Sequence, residues 1–255
     1  MALFIYRNNE SDMDIPLLFF ISLLAVSFMY SMVGHGGASG YLAVMSIFAV
    51  STVYFRSSAL ILNLFVAGIA FNSFRGGYAI RWRLFLPFLV PAIPMAFLGA
   101  LIHIHPGTYK IILGIMLLLA LLRLIYRPSR EFETKPAPGI IISVLIGSVL
   151  GLLSGMIGIG GGILLSPIFI LMKWSQVKET GVYSSLFILC NSLAGLIGLR
   201  FSGIVLPPHF TWWILVVAGG GLLGSMTAMK VLPVRYFKIS LAIVLLFACF
   251  KLLIP

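Results

Sequence analysis

Acidic residues are scarce in this chain, which has six Asp and Glu against 17 Lys and Arg in 255 residues. All six lie in a terminus or a predicted loop: Glu10, Asp12, Asp14, Glu131, Glu133 and Glu179. Membrane proteins that relay protons or bind cations usually place carboxylates within their spanning segments. The distribution of acids therefore argues against a cation substrate and against coupling through a buried carboxylate.

Cysteine and histidine are also rare, and their positions argue against several kinds of site. Cys190 and Cys249 lie 59 positions apart (249 − 190) in apolar runs, so they form neither a disulfide framework nor a paired metal motif. Of the four histidines, only His35 falls within a central motif of the chain. The chain has no HExxH motif and no acid pair, which disfavours a membrane-embedded enzyme. We predict no catalytic residue, metal or cofactor.

Apolar residues dominate what remains: 61% of the chain is hydrophobic and its mean hydropathy is +1.14. Apolar runs of about 18 residues recur, a length that spans the bilayer core. The pattern predicts an all-α, polytopic membrane protein. The net charge of +11 reflects basic residues at segment ends, which fits the positive-inside rule better than nucleic-acid binding.

The segments form two similar halves, which indicates an internal repeat. We predict an N-terminal tail at 1–14, a first repeat at 15–126, a basic cytoplasmic linker at 127–138 and a second repeat at 139–255. The first repeat holds apolar segments at 15–33, 38–50, 57–74, 84–102 and 108–126. The second holds segments at 140–157, 163–172, 182–199, 211–230 and 237–254. The charges at the segment ends favour a second half that is inverted in the membrane relative to the first. In this topology the first two segments of each half together cross the membrane an even number of times. The short segments 38–50 and 163–172 either span fully or form re-entrant hairpins.

Glycine runs interrupt the apolar pattern at matching places in the two halves, 124 positions apart (158 − 34). The candidate site residues there are Gly34, His35, Gly36 and Gly37, and Gly158, Gly160, Gly161 and Gly162. Each glycine costs a helix interior about 1 kcal/mol relative to alanine, so the runs predict broken helices. The helix that follows would offer free N–H groups to an anion. The alternative is a notch for close helix packing.

Small polar residues follow each glycine run on a later segment. They are Ser57, Ser58 and Asn63 in the first half and Ser184, Ser185 and Asn191 in the second. The six- and seven-residue spacings to the asparagines are close to two helical turns, so each set can share one face. Their side chains could donate hydrogen bonds to a bound anion, or they could form hydrogen bonds between helices. His35 could donate to an anion, carry a proton, or be satisfied by a backbone carbonyl.

The run Gly155-Met-Ile-Gly-Ile-Gly-Gly-Gly, followed by Ser184-Ser185 and Asn191-Ser192-Leu-Ala-Gly195, resembles the TauE/SafE sulfite-exporter family. The first half departs from that pattern by carrying His35 in its glycine run. The resemblance implies a membrane transporter for sulfite or for related sulfur-containing or sulfonate anions, working in the direction of export.

The leading hypothesis is a secondary transporter of a small anion, working by alternating access in the cell membrane. Its predicted partners are the anionic substrate and the lipid bilayer, with no nucleic acid and with a possible homo-oligomer. The alternatives are an anion channel and a membrane assembly subunit that transports nothing.

Overall fold

The computed structural model describes residues 16–102, 104–125 and 134–228, together with Leu246. Regular structure within these residues is helical, without a strand. The α-helices are α1 (Leu17–Ser31), α2 (Ala38–Ile47), α3 (Phe55–Phe74), α4 (Trp82–Leu101), α5 (Pro106–Ile125), α6 (Ile140–Ile157), α7 (Gly162–Leu171), α8 (Val177–Ser202) and α9 (Phe210–Ala228). The predicted tail 1–14, the linker residues 127–133 and all of segment 237–254 except Leu246 lie outside the described residues.

The helices follow the apolar runs closely, and the largest difference is at the start of α8. That helix begins at Val177, five residues before the predicted start at 182 (182 − 177), because Gln176 and Glu179 form a capping box. The prediction that Glu179 lies in a loop is therefore wrong, since it belongs to the first turn of α8.

Helix length sets α2 and α7 apart from the other helices. The helices α3, α4, α6, α8 and α9 are long and apolar enough to cross a bilayer. By contrast, α2 and α7 have 10 residues each, which gives a length of about 15 Å. A bilayer core is about 30 Å thick, so each of these two helices reaches only about half-way across it.

The first short helix folds back on the helix before it. Tyr30 Oη of α1 lies 2.6 Å from Ser39 Oγ of α2. The rings of Phe19 and Phe48 lie 5.4 Å apart, which brings the start of α1 to the end of α2. We call this pair the first hairpin, and residues 32–37 between its helices the first tip.

The second short helix also leads the chain back to where its longer partner began. The N–H of Lys135, which precedes α6, donates to the carbonyl of Lys173, which follows α7, at 2.7 Å. We call α6 and α7 the second hairpin, and residues 158–161 the second tip.

Glycines allow the long helices of the two halves to pack closely, with α4 against α6 and α1 against α9. A Cβ atom built on Gly151 of α6 would lie 2.2 Å from the carbonyl oxygen of Ala92 of α4. One built on Gly224 of α9 would lie 2.2 Å from the carbonyl oxygen of Phe28 of α1. Such backbone contact is typical of small-residue interfaces in membranes. Helices α3 and α8 pack against each other between these pairs.

Candidate functional site

The two tips meet at one side chain, Asn63 of α3, which is fully buried. Its Oδ1 accepts a hydrogen bond from the N–H of Ala38, the first residue of α2, at 3.0 Å. Its Nδ2 donates to the carbonyl of Ile159 in the second tip at 3.1 Å. Asn63 therefore joins the start of the first short helix to the second tip through a single amide group.

The tips approach Asn63 so closely that they leave no room for side chains. A Cβ on Gly36 would lie 2.3 Å from Asn63 Oδ1, and one on Gly160 would lie 2.7 Å from Nδ2. Both Cβ atoms would also lie within 3.0 Å of Ile188 Cγ2 on α8. Gly160 also has a φ of +76°, a left-handed conformation that disfavours other residues. The glycines thus allow two interrupted backbones to converge on one point.

The two short helices differ at their N-termini. The N-cap residues, Gly37 and Gly161, offer no side-chain cap, but Asn63 caps Ala38 of α2 from outside its own helix. In α7, the N–H groups of Gly162 and Ile163 donate no hydrogen bond within the described residues, and the same holds for Ser39 and Gly40 of α2. All four residues are buried, so both short helices present unpaired donors at the positive end of a helix dipole.

Asn191 of α8 is fully buried, and neither Nδ2 nor Oδ1 has a hydrogen-bond partner among the described residues. It lies one turn after Phe187, whose ring would be 2.8 Å from a Cβ on Gly161. It lies one turn before Gly195, which packs beside Gly155 of α6. Asn191 therefore occupies the face of α8 that contacts the second tip and the end of α6. Buried polar groups are usually hydrogen-bonded, so this one calls for an explanation.

The predicted serines differ in their hydrogen-bond partners. Ser184 Oγ is hydrogen-bonded to Ser166 Oγ of α7, whereas Ser185 Oγ donates to Val182 of its own helix at 3.0 Å. Ser57 and Ser58 are both buried. Ser58 lies two positions from Leu60, which packs on Gly195 of α8, so Ser58 occupies the face of α3 nearly opposite to Leu60. That each set of polar residues shares one face towards the glycine runs stays a prediction.

His35 connects the first tip to α7. Its Nδ1 lies 2.9 Å from the carbonyl oxygen of Val33 and its Nε2 lies 2.8 Å from Ser166 Oγ. Ser166 Oγ also lies 3.0 Å from the carbonyl oxygen of Gly162 and bonds to Ser184. One ring nitrogen is thus satisfied by the backbone, and the other joins a chain of hydroxyls that reaches α8. Of the remaining candidates, Gly34 packs on the backbone of Gly181 of α8.

Comparison with known proteins now identifies the fold family. Residues 18–252 match the family model described as sulfite exporter TauE/SafE. The chain belongs to this family. It is also similar to a protein of Sinorhizobium fredii (strain NBRC 101917 / NGR234) that is named a probable membrane transporter protein, y4hK. The two are 31% identical over 237 residues, which cover 91% of this chain and 96% of the relative. No solved structure matches the chain.

Membership of the TauE/SafE family and the relative's name support a membrane transporter rather than an enzyme. The apolar helices of the described residues support a protein that crosses the membrane several times.

Sequence reasoning about this TauE/SafE chain missed three residues beside the tips. Ser166 contacts His35, Arg56 of α3 donates to carbonyls at the ends of α4 and α6, and Ser154 of α6 is buried without a partner. One signal in the sequence could have pointed to Arg56 as a site residue. It is a basic residue next to an apolar run, and no acidic residue lies near it in sequence. The two serines carry no comparable signal, because serine is common in membrane helices.

An ion pair joins the two halves of this TauE/SafE protein away from Asn63. Arg81 Nε, just before α4, donates to Glu179 Oε1 of α8 at 2.9 Å. Partial burial lowers the pKa of the Arg81 guanidinium, but its hydrogen bonds to Glu179 and Tyr183 and the Glu179 charge raise that pKa by more. Tyr183 Oη also donates to Glu179 at 3.1 Å. This cluster ties α4 to the first turns of α8.

Proposed function

We propose that this protein is a secondary transporter that exports a small anion, with sulfite or a related sulfur-containing or sulfonate anion as substrate. The observation that carries the proposal is the convergence of both tips on Asn63, next to the unpaired N–H groups of α7 and the unpartnered amide of Asn191. Uncapped helix N-termini bind anions. The family description supplies the substrate class and the direction.

Alternating access requires two halves that can move against each other, and contacts at the tips favour an inverted arrangement. Gly34 in the first tip packs on Gly181, near the start of α8 and hence near the base of the second hairpin. Gly158 in the second tip packs on Arg56, near the start of α3 and hence near the base of the first hairpin. Each tip thus reaches towards the base of the other hairpin, as expected for hairpins that enter from opposite sides.

The predicted cytoplasmic side agrees with where basic residues gather. Arg81 donates through Nη2 to the carbonyl of Trp174, and Lys135 bonds through its backbone to Lys173. The loop with Arg75 and Arg83 adjoins Arg81 in sequence. These basic residues therefore lie at one end of the helices, together with the linker, which supports a cytoplasmic location in the cell membrane.

The test is flux through the purified full-length protein in liposomes loaded with radiolabelled sulfite. We expect protein-dependent efflux that saturates with sulfite concentration and is inhibited by other small sulfur oxyanions. Empty liposomes and liposomes loaded with a radiolabelled monovalent cation are the controls. Rapid flux that does not saturate would indicate a channel. Absence of flux for sulfite and for sulfonates, with correct insertion demonstrated, would reject the proposal.

A further inference from the structure

A half-buried arginine, Arg56, lies beside the second tip without a carboxylate to balance it among the described residues. Glu179 is the one acid among the described residues, and it pairs with Arg81 near the start of α8. Arg56 is the second residue of α3, and a Cβ on Gly158 of the second tip would lie 3.1 Å from its Cα. A charge within the membrane is costly and usually marks a functional position.

Backbone carbonyls hold the guanidinium in place. Its Nη2 donates to Ala100 of α4 at 2.8 Å and to Gly155 of α6 at 3.0 Å, and Nη1 donates to Ile102 at 3.3 Å. These carbonyls belong to the C-terminal ends of α4 and α6, which carry partial negative charge. Arg56 therefore neutralises helix ends that would otherwise repel an anion at the second tip. Its Nε is buried and has no partner in the described part of the chain.

Two further unpartnered groups border the same place. Ser154 is adjacent to Gly155, the acceptor of Arg56, and its Oγ is buried and unpaired within the described residues. Gly155 also packs beside Gly195, one turn from Asn191 on α8. Three of the buried side chains that lack a partner thus come from different helices around the junction of α6 and the second tip.

We infer that Arg56, Ser154 and Asn191 form an oxyanion subsite at the junction of α6 and the second tip, in which Arg56 makes the site selective for anions. This inference rests on the proposed function and specifies its ligand. The subsite offers the guanidinium charge, part of which the ends of α4 and α6 offset, the donors Nε–H, Oγ–H and Nδ2–H, and an acceptor in Asn191 Oδ1. This set fits a singly charged oxyanion that keeps one protonated oxygen, such as hydrogen sulfite. A dianion would leave an unbalanced charge in an apolar interior.

The inference is tested by equilibrium binding of radiolabelled sulfite to the purified full-length protein, with thermal unfolding measured in parallel. In Ser154→Ala and Asn191→Leu we expect affinity at least about tenfold weaker, since each loses a hydrogen bond to a charged ligand. Their unfolding temperatures should be unchanged or higher, because neither side chain bonds within the described residues. A purely structural role would not separate binding from stability in this way.

Two Arg56 variants test the charge. Arg56→Gln should abolish binding, while Arg56→Lys should keep measurable affinity because it retains the cation. Trp213→Phe is the matched control, since Trp213 Nε1 is another buried, unpartnered donor in the described residues. Trp213 belongs to α9 and packs against Phe19 and Phe210, outside the helices α3, α6 and α8 that supply the subsite, so the substitution should leave affinity unchanged.

The outcomes separate the subsite from the wider proposal. Wild-type affinity for sulfite that Ser154→Ala and Asn191→Leu leave intact would overturn the subsite alone. Sulfate binding as tight as that of sulfite would overturn the preference for a single charge. A folded wild-type protein that neither binds nor transports any small oxyanion would overturn the proposed function itself.

Discussion

The two buried asparagines that follow the glycine runs, Asn63 and Asn191, should respond in opposite ways to the same substitution. Asn63→Leu removes the partner of the Ala38 N–H and of the Ile159 carbonyl, both of which are in buried residues. Asn191→Leu removes an amide that has no partner within the described residues. The side chains are identical and both positions are fully buried, so the change in composition is the same.

The magnitude follows from the number of bonds lost. Leaving a buried polar group unsatisfied costs about 1–3 kcal/mol, so the two groups at Asn63 set an upper estimate of about 2–6 kcal/mol. Hydrogen bonds within membranes average about 0.6 kcal/mol each, which sets a lower estimate of about 1 kcal/mol. One kcal/mol shifts the unfolding temperature of a protein of this size by about 2–4 °C. We therefore expect Asn63→Leu to unfold at least about 2 °C below the wild type.

The assay is thermal unfolding of the purified variants in one detergent, followed by tryptophan fluorescence and by size-exclusion chromatography after heating. Asn191→Leu should unfold at or above the wild-type temperature, because it removes a buried polar group that contributes no bond. Equal destabilisation by both substitutions would refute the reasoning. So would a larger loss in Asn191→Leu than in Asn63→Leu.

Other substitutions test helix packing and the ion pair by the same unfolding assay. Gly151→Ala should destabilise by about 1–3 kcal/mol, because its Cβ would overlap the Ala92 carbonyl. The control Gly219→Ala should instead stabilise by about 0.5–1 kcal/mol, since no atom of the described residues lies within 4 Å of its Cβ; equal effects would contradict the packing. Glu179→Ala should cost about 1–3 kcal/mol, because it removes the α8 cap and the acceptor of Arg81, and an unchanged unfolding temperature would contradict that role.

Much of the helical architecture could be predicted, because long apolar runs leave few alternatives to helices in a membrane. The predicted and observed bounds of α6 coincide at Ile140–Ile157. The error at Glu179 arose because a polar stretch before an apolar run looks like a loop. Its capping box depends on side-chain geometry that hydropathy does not record.

The detail of the site could be predicted only in part. Asn63 and Asn191 look equivalent in sequence, yet one has partners at both ends of its amide and the other has none within the described residues. That difference depends on how α3 and α8 are rotated against each other, which the spacing of residues within one helix does not determine. Arg56 was not assigned to the site because its acceptors are backbone carbonyls of α4 and α6, far away in sequence.

Helices of the first half pack on helices of the second half, and this has a consequence for how the protein is made. Because α1 packs on α9 and α4 packs on α6, a nascent chain that ends after α5 has yet to receive either partner. Helix α4 receives its partner as soon as α6 is made, whereas α1 must wait until most of the second half has been synthesised before it can pack on α9. Two separately encoded halves should accordingly need each other to escape degradation, and co-expression should rescue both.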